Sequence, residues 1–500
     1  MMSETIVIRG GRVVDARNRR ADAADILIED DTIRVVGPPG LHAPEDARII
    51  PAERRLLIPG LINAHTHSHG NLSRSTGDRR TLELALNGNP AVREHFTLED
   101  KHLAAQIGAV EMVTKGCTAC YDLVYEFPTP SVEGLNAVAE GYDSVGMRAV
   151  VAPMMADGTF YEAVPGLLDA LPEGLRRELE RKPRLFRWEG AVETCRETAE
   201  QWPFSCDRVR LAMGPTIPAH CSDEFLRRLA GLAREHEIGL HTHLAESKVQ
   251  AVAGLKRYGK SLTAHLEALG VLGPNFTAAH GVWLDDEDMQ RLAATGSKVA
   301  HNPASNMRYG SGTARVRRML EADLVVGVGT DSRSCSDNLN MFEAMRLASF
   351  TSRIQGPDYH RWLTTDEVFL MATSHSARVL GMEDRIGRLA PGYKADIVFL
   401  DADHPNYVPL TDVMDQIVNA EDGTGVRDVM IGGRMVVEDR RLTTVDYGSL
   451  VTRIENAMER LREMTRTSTA LAEKLEEIVG SFCVGMANTP HHLHRYCGWP

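Results

Sequence analysis

Gly60-Leu61-Ile62-Asn63-Ala64-His65-Thr66-His67 is a short apolar run that ends in two histidines one residue apart. In a strand, alternate residues share a face, so His65 and His67 point the same way. Seven further runs of this kind follow, at residues 117–123, 147–155, 209–216, 239–246, 276–284, 298–302 and 324–331. Helical stretches separate them. Ser222 precedes a helix over 223–236, and Thr364 with Glu367 makes a capping box for a helix that runs to Gly381. Strands alternating with helices imply a parallel sheet, and eight such strands close a barrel. The expected fold is therefore α/β, a (β/α)8 barrel of the TIM type.

Such barrels keep their chemistry at the C-terminal ends of the strands. The polar, reactive residues of these runs fall there. His65 and His67 end the first run, His243 and Glu246 the fifth, His280 the sixth, His301 and Asn302 the seventh, and Asp331 the eighth. Two imidazoles on one strand face can reach one metal ion, and His243 and Asp331 can complete a set of three His and one Asp. Neutral imidazole nitrogen and carboxylate oxygen suit zinc or ferrous iron.

Outward from the barrel runs, both ends of the chain change texture. Residues 6–9, 12–14, 25–29 and 32–36 read as short strands, and so do 395–400 and 426–437, with Gly432-Gly433 at a hairpin turn. This pattern predicts a small β-sandwich domain from residues 1–59 and 384–446, a barrel over 60–383, and a C-terminal helical extension over 447–500. The whole chain of 500 residues has room for a barrel and a second module. Its formal net charge of −13 argues against a nucleic-acid partner. No apolar run approaches the ~20 residues of a membrane helix, and no signal peptide is legible at the start. Eight scattered cysteines then read as reduced thiols of a cytoplasmic protein, with Cys117 and Cys120 buried in a strand.

The motifs taken together resemble a known family. Residues 59–67 resemble the opening motif of the amidohydrolases. His243-Leu244-Ala245-Glu246, Ala279-His280-Gly281, His301-Asn302-Pro303-Ala304-Ser305-Asn306 and Gly329-Thr330-Asp331 are similar to its later motifs, in order. Residues 387–396 look like the family's return into its small β-domain. The branch most similar holds cytosine, guanine and S-adenosylhomocysteine deaminases and the triazine hydrolases. The resemblance implies that His65, His67, His243 and Asp331 bind metal, that Glu246 shuttles protons, and that His280 polarises the reacting centre. It implies metal-bound hydroxide attacking a ring carbon of a small aminated N-heterocycle (purine, pyrimidine or s-triazine) and releasing ammonia. Asp331 takes the water's proton. The alternative is a triazine-type hydrolase that displaces chloride or an alkylamine at the same centre. Two-metal members carry a bridging carboxylated lysine at the end of strand 4. Residues 209–216 hold no lysine, so one divalent ion is expected, Zn2+ before Fe2+.

Several residues keep two readings. His69, Asn71 and Arg74 follow the first strand and face either pocket or solvent. Arg333 reaches either substrate or a salt-bridge partner. His301 reads as a residue that shapes the loop after strand 7. Thr216 stands where nucleoside-type relatives often have histidine. In the extension, Leu450, Ile454, Met458 and Leu461 form one helical stripe, continued by Leu471, Leu475 and Ile478. That stripe must bury itself on the barrel or on a second subunit, and a homo-oligomer is the expectation.

Overall fold

The computed structural model describes residues 4–75, 77–88, 93–127, 129–180 and 188–496. Eight parallel strands lie side by side in chain order: Leu61–Thr66, Cys117–Tyr125, Arg148–Met155, Val209–Pro215, Gly239–Leu244, Phe276–His280, Lys298–His301 and Val325–Val328. They are numbered here as barrel strands 1 to 8. Nearly every residue in them is buried, because helices cover one face and the opposite strands the other. The interior is lined mainly by small residues, Ala64, Ala119, Ala152, Ala212 and Ala300, around Tyr121.

Strands 8 and 1 close the ring through a few specific bonds. Asp331 N donates to His65 O at 2.9 Å, and Thr330 N donates to the Asn63 side-chain oxygen at 3.0 Å. A Cβ on Gly329 would sit 2.8 Å from His65 N. Only glycine lets the backbones approach this closely, and the closure brings Asp331 beside His65.

Strands from both ends of the chain build one nine-stranded sheet. Thr5–Asp15, Arg20–Glu29, Thr32–Gly37, Arg48–Pro51 and Arg55–Pro59 come from one end. Ile397–Asp401, Val426–Ile431, Arg434–Glu438 and Arg441–Leu442 come from the other. The two strands expected at 6–9 and 12–14 are one strand, bulged between Ile8 and Gly11, where Gly10 takes φ +74°. Ile6, Ile26, Ile28, Ile397, Phe399 and Met430 fill this sheet's core. A buried ion pair joins sheet to barrel: Arg148 Nε and Nη2 donate to the two Asp396 carboxylate oxygens at 2.8 and 2.9 Å.

The capping signals match the helices they mark. Ser222 caps Asp223–Glu235, and Thr364 with Glu367 forms a capping box. The helix that begins there stops at Met371, however, and a second one spans Ser374–Val379. The break frees Ala372 O to accept Ile62 N at 2.8 Å, so a contact with barrel strand 1 overrides continuous helix. Cys117 and Cys120 are buried in barrel strand 2, as expected.

Two helices form the extension, Tyr447–Met464 and Arg466–Ala487. Ile454, Met458 and Leu461 pack on Leu72 and Ala104, and Leu471, Leu475 and Val479 pack on Phe160, Leu167 and Val249. The stripe is covered by its own chain, so its apolarity no longer argues for a second subunit. Among the described residues no helix is long and apolar enough to cross a membrane.

Candidate metal centre

The ends of barrel strands 1, 5 and 8 converge on four side chains. His67 Nε2 lies 3.0 Å from His243 Nε2 and 3.4 Å from Asp331 Oδ1. His65 Nε2 lies 3.9 Å from the same carboxylate oxygen. Two overlapping groups have ligand atoms close enough to share an ion: His65, His67 and His243, and His65, His280 and Asp331.

Backbone carbonyls set the tautomers. His67 Nδ1 donates to Leu123 O at 2.7 Å and His243 Nδ1 to Thr216 O at 2.6 Å. A carbonyl only accepts, so Nδ1 carries the proton and Nε2 keeps its lone pair. Two lone pairs facing each other at 3.0 Å repel unless a cation lies within their reach. Both ring nitrogens of His65 are buried without a partner. Burial first, then the neighbouring imidazoles, holds His65 and His243 well below the usual histidine value, so both are neutral, as metal ligation requires. Burial pushes Asp331 up, but His67, His280 and His243 outweigh it and hold the carboxylate low. Three imidazole nitrogens and one carboxylate, all buried, fit a zinc- or iron-type dication.

Glu246 and His280 stand beside this group. Glu246 Oε2 is 3.6 Å from His280 Nε2, and His280 Nε2 is 3.9 Å from Asp331 Oδ2. Burial, then the charges of Asp331 and Glu83, raises Glu246 well above the usual glutamate value. Burial lowers His280, and its Nδ1 donates to Asn306 Oδ1 at 2.9 Å, which leaves an Nε2 lone pair facing Glu246. Ala245, His280 and Asp331 have φ of 51°, 71° and 59°. Left-handed backbone in non-glycine residues costs about 1 kcal/mol or more each and gathers at working sites. It also ends the sixth strand at His280, short of the expected 284.

A cleft of about 1080 Å³, counting the part open to solvent, leads to these residues. His67, His243, Glu246 and Asp331 line it, with Thr216, Tyr125, Tyr309 and Arg93. Leu82, Leu86, Met154, Phe160 and Ile217 supply an apolar wall. The open readings now separate. His69 lines the cleft, Asn71 is buried and donates to Ala104 O at 2.9 Å, and Arg74 is exposed and bonds Asp337 O at 2.6 Å. Arg333 is absent from the cleft lining and pairs with Glu111 at 2.9 Å. His301 is buried outside the cleft lining and is pushed down to about 3 by burial. Arg93, Tyr125 and Tyr309 carried no motif that would mark them. Nor do residue types reveal the carbonyls of Leu123 and Thr216.

The last described residues buttress the loops beside this group. Arg495, buried, donates through Nε to Val282 O at 2.8 Å and through Nη2 to Leu284 O at 2.6 Å. Thr313 N donates to Arg495 O at 2.8 Å, and Trp283 Nε1 donates to Ser311 O at 2.8 Å. These bonds splice the loop after His280 to the segment after Asn306, whose side-chain oxygen accepts from His280 Nδ1. Arg495→Met strands two buried carbonyls, and we expect a loss of about 2 kcal/mol in chemical denaturation. Turnover should slow while bound metal is retained. Trp499, which also belongs to the extension, lies outside the described residues.

The amidohydrolase family model matches residues 56–436. A 5-methylthioadenosine/S-adenosylhomocysteine deaminase of Syntrophomonas wolfei subsp. wolfei is 32% identical over 451 residues, covering 90% of this chain and 96% of that protein. A 5'-deoxyadenosine deaminase of Methanothermobacter thermautotrophicus is 32% identical over 448 residues, covering 89% and 96%. The solved structure of a zinc-complexed atrazine chlorohydrolase from Arthrobacter aurescens TC1 superposes with TM-score 0.80 at 26% identity, covering 91% of this chain and 100% of that one. A barrel whose strand ends gather these imidazoles and carboxylates, matched by that model over most of its length, belongs to the amidohydrolase family.

Proposed function

We propose that the protein is a metal-dependent hydrolytic deaminase of an aminated N-heterocycle, of purine, pyrimidine or s-triazine type. In this reading His65, His67, His243 and Asp331 hold one divalent ion, and Glu246, His280 and Asp331 move protons. The observation that carries it is the buried Glu246 carboxyl at 3.6 Å from His280 Nε2, lining the same cleft as the ligand group. Strand Val209–Pro215 offers no lysine to bridge a second ion. Three nitrogens and one oxygen favour zinc over iron, and zinc is the ion named for the chlorohydrolase. When bound, such an ion lowers the pKa of water toward ~7. We also read residues 1–59 and 384–446 as the small domain, 60–383 as the catalytic barrel and 447–500 as its brace.

The residues divide the proton work. Water supplies two hydrogens: one ends on the ring nitrogen and one on ammonia, while its oxygen replaces the amino group. Glu246 delivers a proton to the ring nitrogen, which makes the adjacent carbon electron-poor. Asp331 takes the proton that the attacking water sheds and passes it to the departing amino group, which leaves as ammonia, while the remaining hydroxyl proton restores Glu246. His280 steadies the negative charge that develops on the oxygen added to the ring carbon. Asn306 keeps the imidazole turned for this.

The test is ammonia release from a panel of amino-heterocycles, adenine-type purines first, because the two deaminases named above act on these. Stoichiometric ammonia from at least one ring supports the reading. Chloride or alkylamine without ammonia transfers the same centre to the alternative hydrolase. No turnover of any panel member by metal-replete protein would overturn both.

A further inference from the structure

One charged group on the cleft wall has no counter-ion among the described residues. Arg93 lines the cleft with His69, Tyr125, Tyr309 and Asp331. Among the described residues its guanidinium forms no ion pair, and the groups that act on it most are the Tyr309 and Tyr125 hydroxyls, the Cys335 thiol and Asp331. Nearby carboxylates are engaged elsewhere. Glu126 takes Lys101 and the Ser131 hydroxyl, Glu83 takes the Ser247 hydroxyl, and Asp331 faces three imidazoles. Burial pulls Arg93 down only to about 10, so it stays charged at neutral pH. A desolvated charge without a partner is costly, and proteins pair such charges or keep them for a ligand.

The neighbours of Arg93 offer protons as well. Tyr125 N donates to His69 Nδ1 at 2.9 Å, which puts the imidazole proton on Nε2. Burial keeps the Tyr125 and Tyr309 hydroxyls protonated, Tyr125 at about 12. A guanidinium, an imidazole N–H and two hydroxyls thus face one cleft whose remaining wall, from Leu82 to Phe160 and Ile217, suits the flat face of a ring.

We propose that Arg93 determines substrate specificity by binding an anionic oxygen group carried by the heterocycle, a ring carboxylate or a deprotonated ring oxygen. The amino-bearing carbon of the same ring meets Glu246 and Asp331. This inference rests on the deaminase reading for its chemistry, while its binding arm stands apart from turnover. Guanidinium matches such a group through paired N–H donors, which an ammonium does not do as well.

The experiment uses metal-replete full-length protein and matched probes: one aminated ring bearing a carboxylate, the same ring bearing a carboxamide, and a ring whose oxygen deprotonates beside its O-methyl ether. Calorimetry gives dissociation constants, and ammonia release gives kcat/KM. In the wild type, the anionic member of at least one pair should bind at least about 30-fold tighter than its neutral partner, the usual worth of a desolvated charge pair. In Arg93→Met this ratio should fall to near one, with Arg93→Lys recovering part of it. The pair that shows the effect tells carboxylate from ring oxygen. Metal content and melting temperature confirm that the variants fold, and Arg93→Gln replaces Arg93→Met if the latter does not. Equal affinity for anionic and neutral partners in the wild type, or an unchanged ratio in the Arg93 variants, overturns the inference. Discrimination in binding with no ammonia from any probe leaves Arg93 as an anion site and defeats the deaminase reading instead.

Discussion

His243→Ala will lose bound metal and turnover together. Its Nε2 lies 3.0 Å from His67 Nε2, and Thr216 O holds its Nδ1, which fixes the ring with Nε2 toward the ligand group. The ion supplies several kcal/mol of charge stabilisation, and losing ~5 kcal/mol slows a reaction by on the order of 10⁴-fold. Metal analysis of the purified variant should give well under one ion per chain, against one in the wild type. Chelation of the wild type should reproduce the loss, and added zinc should reverse it there but not in the variant. His280→Ala is the contrasting case. Its Nδ1 is spent on Asn306 and its Nε2 faces Glu246, so the variant should keep metal and lose turnover. A metal-free His280→Ala protein would move that residue into the ligand set, through the group it forms with His65 and Asp331.

Glu246→Gln should retain metal and lose ~100-fold or more in kcat, the usual contribution of a general acid–base group. Its pH profile carries a second signature. Burial, Asp331 and Glu83 raise the Glu246 value above that of an ordinary glutamate. The acid form is the useful one, so wild-type activity should fall as pH rises through that value, and this limb should vanish in the Gln variant. A stability effect follows with a fixed sign. A carboxyl whose folded value is raised destabilises the fold wherever the unfolded chain would ionise it, that is, above the usual glutamate value of 4.5. Metal-free Glu246→Gln should therefore melt higher at pH 7 than the metal-free wild type. A variant with near-wild-type kcat and an unchanged basic limb would remove Glu246 from the reaction.

Much of this was legible without coordinates, for a physical reason. A barrel strand buried on both faces must be apolar along its length, so a polar, reactive residue at its end stands out against the run. His65, Glu246, His280 and Asp331 announce themselves in this way. The small sheet was legible too, because Gly432 and Gly433 take positive φ in a hairpin and mark their turn by residue type. Arg93 had no such background. It sits in a connecting segment where an arginine is ordinarily solvated, and nothing local distinguishes one that turns inward. The extension was legible only in part. Its apolar stripe shows that a helix face must be covered and not what covers it, and the cover proved to be Leu72, Ala104 and the barrel's own helices.

The sequence by itself determined the number of barrel strands, their order, and the side chains at their ends, because periodicity, capping and strand-end polarity are local properties. Tertiary structure alone decided the rest. It set which nitrogen of His67 and His243 carries the proton, because the acceptors are backbone carbonyls of barrel strand 2 and of the segment after strand 4. It also brought the last described residues of the chain, through Arg495, against the loop after His280, more than 200 residues away. And it left Arg93 facing the cleft with no counter-ion among the described residues. Contacts between distant segments follow from how elements pack, and packing is a property of the closed barrel rather than of any stretch within it.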